Sequence, residues 1–189
     1  MSDAPTIHLA SHPDEHQILV WHTSTDPLGL AIQLEDGGGE HSGHHMAIRY
    51  GWDVLEAWVP RLRFYPARQA ITRGGHCHAF TWAPPLSFDE NESLLDWCNE
   101  LAAAAPIYDG WLAGNRAIRT WRRLAGQGGT PVVDLLGTLA YICYEAVARA
   151  INHLAPSRGY RVEPETFGPA ELWHLTQAGR FRYRGVLLP

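Results

Sequence analysis

Lysine is absent from this 189-residue chain: all 15 basic residues are Arg, and 20 acidic residues leave a formal charge of −5. That balance argues against nucleic acid as the main partner, because phosphate recognition needs a surplus of cations. Cysteine is scarce, and Cys77, Cys98 and Cys143 are too scattered for a disulfide framework. No CxxC pair is present to suggest a zinc ribbon or a thioredoxin-like redox site. Residues 1–16 lack the basic flank and apolar run of a secretory signal. The longest apolar stretch, 132–148, is interrupted by Asp134 and Glu145 and followed by Arg149, which argues against a membrane span. The expectation is a soluble protein, cytoplasmic as synthesised.

What is present suits one ordinary domain. With 46% apolar residues and 8 Trp the chain can bury a sizeable core. Eleven His make the charge sensitive to pH, from −5 with all neutral to +6 with all protonated. Residues 1–16, polar and containing Pro and His, read as an N-terminal arm, and 17–189 as a single domain.

Along the body, a short apolar run at 18–21 precedes a helix expected over 26–33, with Asp26 as cap and Pro27 at its first position. Strands are expected at 45–50 and 53–59 around Gly51-Trp52, and at 76–82 after Gly74-Gly75. Ser87 and Glu90 have capping-box spacing, and Leu94, Cys98, Leu101 and Ala105 recur at helical intervals up to Pro106, which assigns Cys98 to the core. Arg116, Arg119, Arg122 and Arg123 read as a solvated helical face. A further helical region runs from Thr130-Pro131 to Pro156, with Gly137 as a break point. Arg180, Arg182 and Arg184 alternate with Phe181 and Tyr183, the pattern of a half-exposed strand.

The hairpin carries the first chemical clue. If Gly51-Trp52 is a two-residue turn, Tyr50 faces Asp53 and Ala47 faces Glu56. His45 and Glu56 then share a face as diagonal neighbours, roughly 7–8 Å apart at the backbone and within side-chain reach. A hairpin of odd length would present His44 instead, because a one-residue slip reverses every side chain. An imidazole oriented by a carboxylate is half of a nucleophilic site. Cys143 is the candidate for the other half, since a thiol at the start of a helix ending near Leu154 would be ionised by unpaired N–H groups and the helix dipole.

These residues resemble a family. GHHMAIRYG, then VLEAW, a downstream IYD and finally YICYEAVARAI are similar to the circularly permuted NlpC-type papain-like hydrolases, the YiiX-like group related to lecithin–retinol acyltransferases. The resemblance spans about 18–173, closing on a Pro-containing segment before Leu172-Trp173. It implies an α+β papain-like fold, an antiparallel sheet packed against helices, with Cys143 as nucleophile, His45 as base and Glu56 as its orienting group. It further implies hydrolysis through an acyl-enzyme without a cofactor, most simply of an amide such as a peptidoglycan stem peptide, with a lipid or ester acyl group as the alternative. Relatives of this kind occur in phage-derived or toxin settings, delivered by a phage or a secretion apparatus and held by an inhibitory protein. Two departures stand out. Tyr144 replaces the usual Ser and is expected to narrow or reshape the substrate pocket, and His44 replaces the Ser before the base, beside the substrate. Tyr108 is expected to line the cleft, and Asp109 either joins it or starts a helix.

Other readings compete. Cys143 sits in an apolar helical pattern and could be an inert core thiol, Glu56 an edge-strand residue, and the domain a binding module that kept the fold. His41, His44 and His45 with His76, Cys77 and His78 could offer ligands to a transition metal. Adjacent strand residues point to opposite faces, however, so no metal site is assigned.

Overall fold

The computed structural model describes residues 6–8, 16–22, 30, 34, 43–58, 61–72, 76–104, 106–108, 140–141, 143–164 and 166–188. Their strands are β1 (Thr6–His8), β2 (Gln17–Trp21), β3 (His45–Tyr50), β4 (Asp53–Trp58), β5 (Arg61–Pro66), β6 (Cys77–Trp82), β7 (Ile107–Tyr108), β8 (Ala140–Tyr141) and β9 (Phe181–Leu188). The helices are α1 (Ala67–Thr72), α2 (Phe88–Ala104), α3 (Cys143–His153), α4 (Ala155–Arg158) and α5 (Pro169–Gln177). The expected helix at 26–33, the Arg116–Arg123 face, Gly137 and Asp109 are positions that lie wholly or mainly outside the described residues.

All nine strands join one sheet in the order β1-β9-β6-β2-β3-β4-β5-β7-β8. The six central strands, β9 to β5, are antiparallel, whereas β1 lies parallel to β9 and β8 parallel to β7. β1 belongs to the stretch read as an N-terminal arm, so residues 6–8 are tied into the sheet edge beside the C-terminal strand.

Alternation along the strands builds two apolar layers. Ile18, Val20, Met46, Ile48, Leu55, Phe80 and Trp82 meet Leu94 and Cys98 of α2, the buried side of α3 and Leu172 of α5. The opposite set, Leu19, Trp21, Ala47, Val54, Cys77 and Ala79, is covered by Ala67, Ala70 and Ile71 of α1. β2 is apolar at four consecutive positions because both of its faces are covered. The fully buried Arg49 is satisfied locally, its Nε donating to the Gly51 carbonyl at 3.0 Å and Nη1 to Gln17 Oε1 at 3.1 Å.

The start of α2 is the capping box expected from sequence: Glu90 N–H donates to Ser87 Oγ at 3.2 Å and Ser87 N–H to Glu90 Oε2 at 2.9 Å. The last helical region is shorter than its apolar period, since Ala140–Tyr141 pairs with β7 as β8, and the helix begins at Cys143, the start proposed for it from its thiol. After Leu154 the chain turns into α4, where Pro156 occupies the first turn, a position at which a missing N–H costs nothing.

Candidate active site

Gly51, with φ of +60°, makes the tight hairpin between β3 and β4. The paired positions are Tyr50↔Asp53, Arg49↔Val54 and Ile48↔Leu55, the register expected from a two-residue turn. That ladder then stops, although β3 stays paired to β2 as far as His45 and β4 to β5 as far as Trp58. The two strands part toward the end of the hairpin remote from the turn. His45, the first residue of β3, and Glu56 face each other there, with Nε2 to Oε2 at 3.0 Å and both residues buried. The indole of Trp21 stands 5.1 Å from the imidazole, centroid to centroid.

The first residue of α3 enters at this opening. The Cys143 thiol is hydrogen-bonded to the His45 side chain and to the backbone N–H groups of Met46 and Tyr144. Backbone groups of an antiparallel strand alternate in direction, so Met46 N–H points toward β4 like that of Ile48. Beyond Leu55 the ladder no longer engages it, and the sulfur takes the bond instead. Tyr144 N–H belongs to the first turn of α3, where the helix has no acceptor for it.

Burial pushes the Cys143 thiol up, but the electrostatic effect of His45 beside it, the hydrogen bond from that imidazole and the two N–H donors outweigh burial and hold it below the usual thiol value. Nε2 of His45 is on Glu56, and the same side chain meets the thiol. Carboxylate, imidazole and thiol thus form one relay with an amide-lined helix start next to the sulfur, an arrangement able to activate a nucleophile and stabilise an oxyanion.

The other two thiols have no such surroundings. Burial alone pushes Cys98 up to about 12. Cys77 is fully buried and raised further, against a small opposing effect of Arg49.

Cys143, His45 and Glu56 are therefore brought together, and the hairpin register selects His45 over His44. His44 is half-buried next to the site, with its N–H on the Trp21 carbonyl at 2.9 Å. Tyr108 is the second residue of β7, and its side chain lies outside the described residues. Tyr144, expected beside the substrate, has a buried side chain whose hydroxyl donates to the Gly43 carbonyl. Sequence reasoning missed Met46, whose contribution is a backbone group that no side-chain pattern advertises, and Gly43, whose only sequence signal is its place before His44-His45.

Of the residues weighed as metal ligands, His41 lies outside the described residues. His78 packs its ring 4.0 Å from that of His22 and shares a 3.0 Å hydrogen bond with the Tyr183 hydroxyl. Among the described residues no group of three or more His, Cys, Asp or Glu is placed to hold a metal ion. Among them, too, no helix is long and apolar enough to cross a membrane.

No protein-family model matches the sequence, and no curated protein does. Among solved structures the chain is similar to one described as metalloprotein YiiX from Escherichia coli O157:H7, at 19% identity and a TM-score of 0.53 over 80% of this chain and 70% of that one. The chain has a YiiX-like, papain-like α+β fold.

Proposed function

We propose that this protein is a thiol hydrolase that opens an amide through an acyl-enzyme. The observation that carries the reading is the continuous contact Glu56–His45–Cys143 at the first residue of α3. His45 holds the thiol proton, and Glu56 fixes the ring and its charge. Attack forms a bond from Sγ to the acyl carbon, whose oxygen takes up the electron pair and is stabilised by backbone N–H groups at the helix start. Collapse expels the amine, which receives the proton from His45. Water, deprotonated by the same imidazole, then releases the acid and frees the thiol.

The chain order His45, Glu56, Cys143 is the Cys, His, polar-residue order of ordinary papain-like enzymes with the Cys moved from first to last, which supports the circularly permuted NlpC-type reading and, through it, a peptidoglycan stem peptide as the first substrate class. A lipid or other ester uses the same steps and forms the second.

The test joins labelling to turnover. Iodoacetamide at neutral pH should modify Cys143 in preference to Cys77 and Cys98, and His45→Ala should suppress that preference. A panel of peptidoglycan fragments and acyl esters, assayed with parent and Cys143→Ala, then identifies the bond. Equal inertness of all three thiols in the folded protein would sink the proposal, and a labelled Cys143 without turnover on either class would reduce it to a reactive binding site.

A further inference from the structure

The residue after the proposed nucleophile has two separate attachments. Its backbone N–H meets the Cys143 sulfur, while its phenol reaches across to the segment that leads into β3, donating its hydroxyl to the Gly43 carbonyl. Gly43 precedes His45 by two residues, and its surroundings leave little room for a side chain. A Cβ there would come within 2.8 Å of Val20 Cγ1, 2.9 Å of Pro169 Cγ and 3.0 Å of the Trp21 carbonyl. The next peptide is fixed as well, since His44 N–H donates to Trp21 O at 2.9 Å. The acceptor is thus held by β2 and by the first residue of α5, and the phenol is held by the acceptor.

We infer that Tyr144 is a positioning residue: its hydroxyl, anchored on the Gly43 carbonyl, sets the first turn of α3 against the start of β3 and so keeps the Cys143 thiol within hydrogen-bond range of His45. The inference rests on the thiol-hydrolase reading, and it gives the Tyr in this sequence a role that a pocket-lining side chain would not have. Tyr144 touches neither substrate nor proton; it acts through the Cys143–His45 distance. Loss of the hydroxyl lets the helix start drift, and the thiolate loses part of the stabilisation that offsets its burial.

The experiment measures the pH dependence of Cys143 alkylation by iodoacetamide, with each thiol followed by peptide mapping, in the full chain and three variants: Tyr144→Phe, His45→Ala and the double variant. Circular dichroism verifies that each is folded. Tyr144→Phe should slow alkylation at pH 7 about tenfold, the equivalent of one pKa unit, with the midpoint of the profile displaced upward. In the His45→Ala background the same change should have no further effect, because the interaction it supports is already gone. Gly43→Ala, which crowds the acceptor and leaves the phenol in place, should slow alkylation in the same direction.

An unchanged pH profile in folded Tyr144→Phe overturns the inference. So does an equal effect in both backgrounds accompanied by faster labelling of Cys98, which is the signature of a loosened core. Failure of the functional reading looks different: Cys143 would then titrate low in the parent and respond to Tyr144→Phe, yet no amide or ester would be cleaved.

Discussion

Cys98 and Cys143 lie in the same apolar layer, on two helices packed against one sheet face, and are 2% and 5% exposed. Burial acts on both in the same sense, yet only Cys98 follows it, rising to about 12, whereas Cys143 is held below the ordinary thiol value. The difference is one of position. Cys98 is in the middle of α2, where neighbouring N–H groups serve the helical ladder. Cys143 is the first residue of α3, next to an N–H without an intrahelical acceptor, and it meets β3 where the ladder to β4 has stopped. The buried thiol that is held low is the one with interrupted secondary structure on both sides of it. The thiol inside continuous helix follows its burial upward.

If that contrast is the origin of the chemistry, Cys143→Ala should remove hydrolysis almost completely. A loss of about 10⁴-fold or more in kcat/KM, on the order of 5 kcal/mol of transition-state stabilisation, is expected in the peptidoglycan-fragment or ester assay. Cys98→Ala should leave kcat/KM unchanged. Comparable losses in the two variants would erase the distinction between them.

His45→Ala sharpens the comparison by making Cys143 resemble Cys98. The imidazole stabilises the charged form of the thiol, so its removal raises the pKa, lowers the thiolate fraction at pH 7 and moves reactivity to alkaline pH. A slowing of alkylation of roughly a hundredfold at pH 7, diminishing as the pH rises, corresponds to about 2.7 kcal/mol. Pseudo-first-order alkylation rates from pH 5 to 10 check it, and a slowing that is the same at every pH would point to steric access instead. Glu56→Gln keeps a hydrogen-bonding group on Nε2 but deletes the charge that supports the imidazolium. It should cost less, about tenfold in kcat/KM or ~1.4 kcal/mol, and an effect as large as that of His45→Ala would mean that Glu56 holds the strands in place.

Much of this site was legible because its determinants are local. Gly51 and the alternation on either side of it specify the hairpin register, and register alone puts His45 and Glu56 on one face. Ser87 and Glu90 announce the start of α2 within four residues. The rest depends on partners distant in sequence. The apolar period at 139–154 does not itself mark a start at Cys143, which is proposed from the thiol; Ala140–Tyr141 leaves the helix by pairing with β7, more than thirty residues away. β5 and α5 carry no strong signal of their own: Arg61 and Arg63 alternate with Leu62 and Phe64 over a short stretch that becomes a strand by pairing with β4, and α5 is helical in a segment read only as Pro-containing before Leu172-Trp173. The end of the β3–β4 ladder at Ile48 and Leu55 has no signal in the alternation of either strand.

The smallest effect tests whether the two helix starts are independent. Glu90, in the cap of α2, accepts from Ser157 Oγ at 2.6 Å, from Ser87 N–H and from the guanidinium of Arg158, which also donates to the Pro84 carbonyl at 2.8 Å. Desolvation opposes ionisation of this carboxyl, but the donors prevail and hold it at about 2. Its folded-state pKa is below the unfolded value of about 4.3, so its contribution is complete above that value and disappears as the pH falls toward 2. With the side chain 17% exposed, screening reduces the full linkage energy, and Glu90→Gln should cost about 1–2 kcal/mol at pH 7. Urea unfolding of parent and variant at pH 7 and pH 3 reads both the size and the sign, with the gap shrinking at the lower pH. A gap that stays constant would assign the loss to packing. The pH profile of Cys143 alkylation should be the same in Glu90→Gln as in the parent, because none of the groups that hold the thiol low touches Glu90. A displaced profile would show that the cap of α2 reaches the start of α3 through α4, and the two thiols could no longer be treated as products of separate surroundings.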